Sequence, residues 1–281
     1  MKINIIQFPF HLGRKNVGAG LGPKKYIQAG LRRRLAKQGF DVRTTCVSHN
    51  IPFDGEENAV VRANRLLAKE VRKSIAKKEL PLVLSGNCNC SLGVLAGLEA
   101  AKLKSGVVWF DAHGDFNTPE TTPSGYLDGM PLAIAAGRCY KNARIKIGLR
   151  RPLPESLALL AGVQSMDPLE KIAVARSKIN LVPLKKMESL FPKLRRLASK
   201  TRNLYLHIDV DVLAKKLAPG VDFRTAGGLS LKDFPPILGQ IEKLFSIRAV
   251  SITCYNPEKD KQNKTLKSAV TLVQQIFHAL K

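Results

Sequence analysis

The stretch Val107-Val-Trp-Phe-Asp-Ala-His-Gly-Asp115 decides the fold class. Its four leading residues are apolar without interruption, as in a strand of a parallel sheet covered on both faces. The run then stops in Asp-x-His-x-Asp. Alternate residues of extended backbone point the same way, so Asp111, His113 and Asp115 are expected to converge at the strand end. Two carboxylates and an imidazole that close together repel or go unsatisfied unless a cation lies between them. A divalent metal is the natural partner. One such motif also fits a surface turn. A second weakens that reading: Leu204-Tyr-Leu-His-Ile-Asp-Val-Asp211 again ends an apolar run in alternating aspartates. Ligand sites of open parallel sheets gather at the carboxyl ends of strands. Two neighbouring ends of this kind supply Asp111, His113, Asp115, Asp209 and Asp211. That is too much negative charge for one ion, and suited to a pair about 3.5–4 Å apart that shares a water.

Outward from these two segments, short apolar runs alternate with amphipathic ones, the pattern of a parallel sheet with helices on its faces. Strands are expected at Ile3–Ile6, Leu82–Leu84, Val107–Phe110, Ile145–Gly148, Leu204–Ile208 and Ala249–Thr253. Helical spacing marks Ala59–Lys78 through Val60, Ala63, Leu67, Val71 and Ile75, and Thr265–Leu280 as a packed closing helix. No low-complexity linker, composition break or repeat appears, so residues 1–281 read as one domain. An apolar fraction of 44% supports a large core. There is no 18-residue apolar run and no signal-peptide pattern. An odd count of five cysteines argues against a disulfide framework and fits a reducing, cytoplasmic setting. The net charge of +24 attracts anions. Its clusters, such as Arg32-Arg33-Arg34 and Lys185-Lys186, are scattered and lack interleaved aromatics, so nucleic acid is not the expected partner.

The segment from Asp111 to Gly125 resembles the signature of the ureohydrolase superfamily of arginases, agmatinases and formimidoylglutamases. Asp209-Val-Asp211 with Gly227-Gly-Leu-Ser230 resembles its later block, and Arg14 to Pro23 its first; Gly148-Leu-Arg150 is also similar to an arginase segment. The resemblance covers essentially the whole chain. It implies a three-layer α/β/α sandwich with a mostly parallel central sheet and two divalent ions, Mn2+ in most members. It further implies hydrolysis of a linear amidine or guanidine C–N bond by a metal-bridging hydroxide, in a homo-oligomer, trimer or hexamer. By resemblance Asp111 and Asp209 bridge both ions, His113 and Asp211 complete one shell, and Asp115 the other.

Four departures bear on function. Cys88 stands where the family has a metal-ligating histidine; a thiolate there favours Zn2+ or Fe2+, while the plainer alternative is a packing residue. Cys90 reads as helix packing. Asp128 stands where arginases carry a proton-relaying histidine; it is expected to relay protons, contact a cationic substrate, or cap a following helix at Gly129–Ala136. Cys254 replaces the glutamate that anchors guanidinium, and a thiol cannot form that bidentate pair. Leu153 replaces a polar contact to the substrate amino group. Asn117, Thr122 and Ser124 match the residues that hold the substrate carboxylate. His207 reads as packing or as a contact behind the ligands, and His11, His49 and His278 lack sequence partners. The chain is therefore expected to hydrolyse a small linear amidine-type substrate, one that carries a carboxylate and is not L-arginine. Two other readings stand beside this: a degenerate member serving as a metal-containing binding or regulatory subunit, and an anion binder driven by charge.

Overall fold

The computed structural model describes residues 1–48 and 50–281, so His49 lies outside the described residues. Strands run β1 (Lys2–Phe8), β2 (Phe10–His11), β3 (Arg14–Lys15), β4 (Asp41–Cys46), β5 (Glu79–Ser85), β6 (Gly106–Phe110), β7 (Ala158–Val163), β8 (Asn180–Pro183), β9 (Asn203–Asp209) and β10 (Ser246–Thr253). Helices run α1 (Gly22–Gln28), α2 (Leu31–Lys37), α3 (Glu56–Ala76), α4 (Cys90–Ala100), α5 (Pro131–Ala136), α6 (Lys141–Ile147), α7 (Pro168–Ala175), α8 (Leu190–Ala198), α9 (Phe234–Leu244) and α10 (Lys264–Ala279). Eight strands form one sheet in the order β4-β1-β5-β10-β9-β6-β7-β8, with parallel pairings throughout, and β2 and β3 make a small antiparallel pair.

The sheet lies between two helix layers, the expected three-layer α/β/α sandwich. In one layer α3 packs on α4 and α6, and α4 on α5; in the other α10 packs on α9 and α2, and α9 on α8. The central strands are apolar because both faces are covered: every residue of β6 and β7 is buried. Among the described residues no helix is long and apolar enough to cross a membrane.

The expected strand Ile145–Gly148 is instead the end of α6. Ala143, Arg144 and Ile147 are buried while Ile145 is 43% exposed, the one-sided pattern of a helix. Gly148, at φ 112°, closes that helix in the left-handed conformation that favours glycine. The buried Arg144 guanidinium donates to the Leu149 and Arg150 carbonyls just beyond. The helix expected at Gly129–Ala136 begins at Pro131 after a short 3-10 turn at Leu127–Gly129.

Four consecutive strands of the sheet, β5-β10-β9-β6, position the site. Cys88 follows β5, Cys254 follows β10, Asp209 ends β9 and Asp111 follows β6. Neighbouring strands lie about 4.8 Å apart, so these side chains are set side by side along the carboxyl edge.

Candidate metal centre

Phe110 of β6 pairs with Ile208 of β9, so Asp111 and Asp209 leave adjacent strand ends. Each closes the same local turn. Asp111 Oδ1 accepts the His113 N–H at 2.7 Å, and Asp209 Oδ1 accepts the Asp211 N–H at 2.8 Å. An aspartate that captures the N–H two residues on makes an Asx-type turn. These side chains thus converge through turns, and the extended alternation expected from the sequence is not the cause: β6 stops at Phe110, and Asp115 has a left-handed φ of 51°. Gly114 is demanded by space, since a Cβ there would lie 2.4 Å from Glu170 Oε1.

His113 Nδ1 lies 2.9 Å from Asp211 Oδ2 and 3.5 Å from Asp111 Oδ1. One donor atom from each of these three residues falls within 4.8 Å of the others. Asp111 Oδ2 accepts from Trp109 Nε1 at 3.1 Å, and Asp211 Oδ1 from the Ala112 N–H at 3.1 Å. Burial pushes the Asp209 carboxyl well above the usual carboxylate range, and the carboxylates of Asp211 and Asp111 add to it. Burial does the same to Asp115, reinforced by Asp111, Asp128 and Asp209. Burial alone would lower the His113 pKa, but its bonds to Asp111 and Asp211 carry it up to about 12. A cluster that holds a proton this tightly is asking for positive charge. Asp115 Oδ2 is buried without a hydrogen-bond partner, and a cation would satisfy it. These carboxylates and one imidazole fit a pair of divalent ions.

The other half of the cluster is built around sulfur. Cys88 Sγ is buried, 3.0 Å from Asp209 Oδ2 and 3.7 Å from Cys254 Sγ. His207 stacks on Trp109 at a ring distance of 3.7 Å, and its Nε2 lies 3.3 Å from Cys88 Sγ. Burial pushes the His207 imidazole down to about 3, so it is neutral. Its Nδ1 lies 2.9 Å from both the Tyr205 and the Ser251 hydroxyl, which fixes the ring with Nε2 facing the sulfur.

Asp128 does not cap the helix that follows it, α5, whose N-cap is Met130. Its carboxylate accepts from Asn87 Nδ2 at 2.5 Å and from the Asn89 N–H at 3.2 Å, which ties it to the loop carrying Cys88. Burial pushes the Asp128 carboxyl up to about 7, against those two hydrogen bonds, which lower it. A cleft of about 580 Å³ opens over these groups, with Asp111, His113, Asp115, Asp128, Asp209 and Asp211 on its wall.

This arrangement has close counterparts. The family model described as Arginase family matches residues 1–278. The chain belongs to the Arginase family. That family consists of hydrolases acting on C–N bonds in linear amidines. An arginase from Bacillus caldovelox is 31% identical over 296 residues, spanning 98% of this chain and 97% of the relative. The crystal structure of arginase from Bacillus subtilis superposes with a TM-score of 0.88 at 31% identity, over 98% of each chain. A formimidoylglutamase from Bacillus subtilis shares the fold at a TM-score of 0.78, with 16% identity over 99% of this chain and 86% of that one.

In this Arginase-family chain the remaining expected residues are placed unequally. Ser124 and Asn117 line the cleft and Thr122 does not. Thr122 Oγ1 accepts from the Ser124 and Gly125 N–H groups, as a turn residue. The Asn117 amide is engaged by Asp167 and Thr121. Leu153 is in the core and does not line the cleft. Cleft residues that sequence reasoning missed include His11, Asp222, Lys259 and Glu170. Glu170 carried a legible signal: Asp167-Pro-Leu-Glu170 is a capping box, and Glu170 also receives the Phe116 N–H.

Proposed function

We propose that residues 1–281 act as one metallohydrolase domain that cleaves a linear amidine-type C–N bond of a small molecule other than L-arginine. The observation that carries this is the meeting of Asp111, His113 and Asp211, whose donor atoms lie within 4.8 Å of one another, on the wall of a cleft that Asp115 and Asp209 also line, a set that would suit two ions. In this reading the metal ligands are Asp111, His113, Asp115, Asp209, Asp211 and Cys88, with Mn2+ as the family ion and Zn2+ or Fe2+ favoured where sulfur binds. Bound ions would acidify a water for attack and polarise the substrate carbon. Asp128, poised at about 7, holds a proton within the cleft and can hand it to the leaving nitrogen. Ser124 offers a contact for a carboxylate, with Thr122 shaping its turn, while the Asn117 amide is held by Asp167 and Thr121 and the Lys259 ammonium pairs with Asp222 at 2.8 Å. By resemblance Cys254, on the cleft wall, stands where a glutamate would anchor a guanidinium. The free cysteines fit a reducing cytoplasm, and we read the molecule as a homo-oligomer, trimer or hexamer by family.

The test is a screen of linear amidines, formimino compounds and amides borne on an acid, with Mn2+- and Zn2+-loaded protein, for ammonia or urea release. One of these substrates is expected to turn over at about 1–1000 per second. Urea from L-arginine at about 10 per second or more would overturn the assignment. Full metal binding with no turnover of any compound would instead favour a degenerate binding subunit.

A further inference from the structure

Two departures from the arginase pattern, Cys88 and Cys254, lie 166 residues apart in sequence and meet in space. Their sulfurs are 3.7 Å apart. Two thiolates at about 2.3 Å from one tetrahedral ion are separated by about 3.8 Å. Asp209 Oδ2 lies 3.0 Å from Cys88 Sγ, and the donor atoms of Cys88, Cys254 and Asp209 all fall within 4.8 Å of one another. Cys254 sits at a left-handed φ of 66°, a conformation that costs a non-glycine residue energy and is kept where a side chain must be aimed. Cys88 is held by His207, itself fixed by Tyr205 and Ser251, the kind of support behind a ligand that orients metal sites.

We propose that Cys88, Cys254 and Asp209 form a thiolate-rich position that selects a thiophilic ion such as Zn2+, beside a nitrogen–oxygen position made by Asp111, His113 and Asp211. The proposal rests on the metal-centre reading and deepens it: the two positions are chemically unlike, and Cys254 serves the metal and not the substrate. Asp115, with its unpartnered Oδ2, lines the same cleft, and Asp111 and Asp209 leave adjacent strand ends. Loading the sulfur position with Zn2+ displaces a proton from each thiol to solvent and forms two Zn–S bonds, with no change of oxidation state. Soft sulfur donors disfavour Mn2+ there, while the oxygen-rich position retains it.

Co2+ reports the difference, because thiolate ligation gives a sulfur-to-metal charge-transfer band in the near ultraviolet and carboxylate or imidazole ligation does not. Metal-free protein titrated with Co2+ is expected to show the band. Cys88→Ser and Cys254→Ser should each cut its intensity per bound ion to about half, and the double variant should lose it yet keep one ion at the nitrogen–oxygen position. Zn2+ affinity of the sulfur position should fall at least about 100-fold in either variant. An undiminished band in Cys254→Ser would overturn the second thiolate, and two bound Co2+ with no band would overturn sulfur ligation altogether. Failure to retain any Co2+ in equilibrium dialysis would sink the metal-centre reading itself. Should a serine variant fail to fold, the unaltered chain decides: Zn2+ and not Mn2+ should slow alkylation of both Cys88 and Cys254, and equal protection by the two ions contradicts the proposal.

Discussion

At the scale of single residues, Asp128 shows how burial sets chemistry. A carboxyl moved from 3.8 to about 7 binds a proton in the folded state that the unfolded chain has already released. Between those values the native state holds more protons, so stability falls as pH rises from about 4 to about 7 and stays reduced above. Asp128→Asn removes that dependence. Denaturant unfolding of metal-free protein should show the variant gaining on the parent by about 1.4 kcal/mol for each step of one in pH across that window. Parallel curves over the same window would mean that Asp128 stays ionised. What was legible in sequence was the convergence on one cleft of Asp111, His113, Asp115, Asp209 and Asp211, four acids and a histidine at the ends of apolar runs. The meeting of Cys88 with Cys254 was not legible, because it depends on β5 lying beside β10. The engagement of Asn117 by Asp167 was hidden for the same reason, since it too joins segments that only the fold brings together.

At the scale of elements, buried central strands and long amphipathic helices were legible because their patterns are imposed by a covered sheet. The closing helix is an example: Ala269, Leu272, Val273, Ile276 and Phe277 of α10 are fully buried, and Phe277 meets Phe40 edge-on at 5.6 Å. Phe277→Ala should lower unfolding free energy by about 3–5 kcal/mol, read from the denaturant midpoint. A loss below about 1 kcal/mol would mean that this helix is not part of the cooperative core. The strands that escaped sequence reading lack a run of β-branched apolar residues. Asp41–Cys46 is a largely polar edge strand, Asn180–Pro183 is an edge strand of four residues ending in proline, and Ala158-Leu-Leu-Ala-Gly-Val163 draws its strand state from burial between neighbours. Ile145–Gly148 misled in the opposite direction, since two isoleucines in a short segment fit either period.

At the scale of the whole molecule, a chain with a net charge of +24 presents a cleft walled by aspartates. Most basic residues, Arg144 apart, lie on solvated faces, while the aspartates of the cleft gather at one carboxyl edge of the sheet, where a cation would lower their energy. The placement of the site follows from topology: strands far apart in sequence become neighbours, and their ends share one edge. We propose that Asp111 and Asp209, which leave adjacent strand ends, are each needed to hold a pair of divalent ions. The direct measurement is metal content per chain, by elemental analysis after dialysis, in the parent protein and in Asp111→Ala and Asp209→Ala. The parent should hold two divalent ions and each variant should lose both, with the fold retained by circular dichroism. Two ions per chain in either variant would contradict the claim.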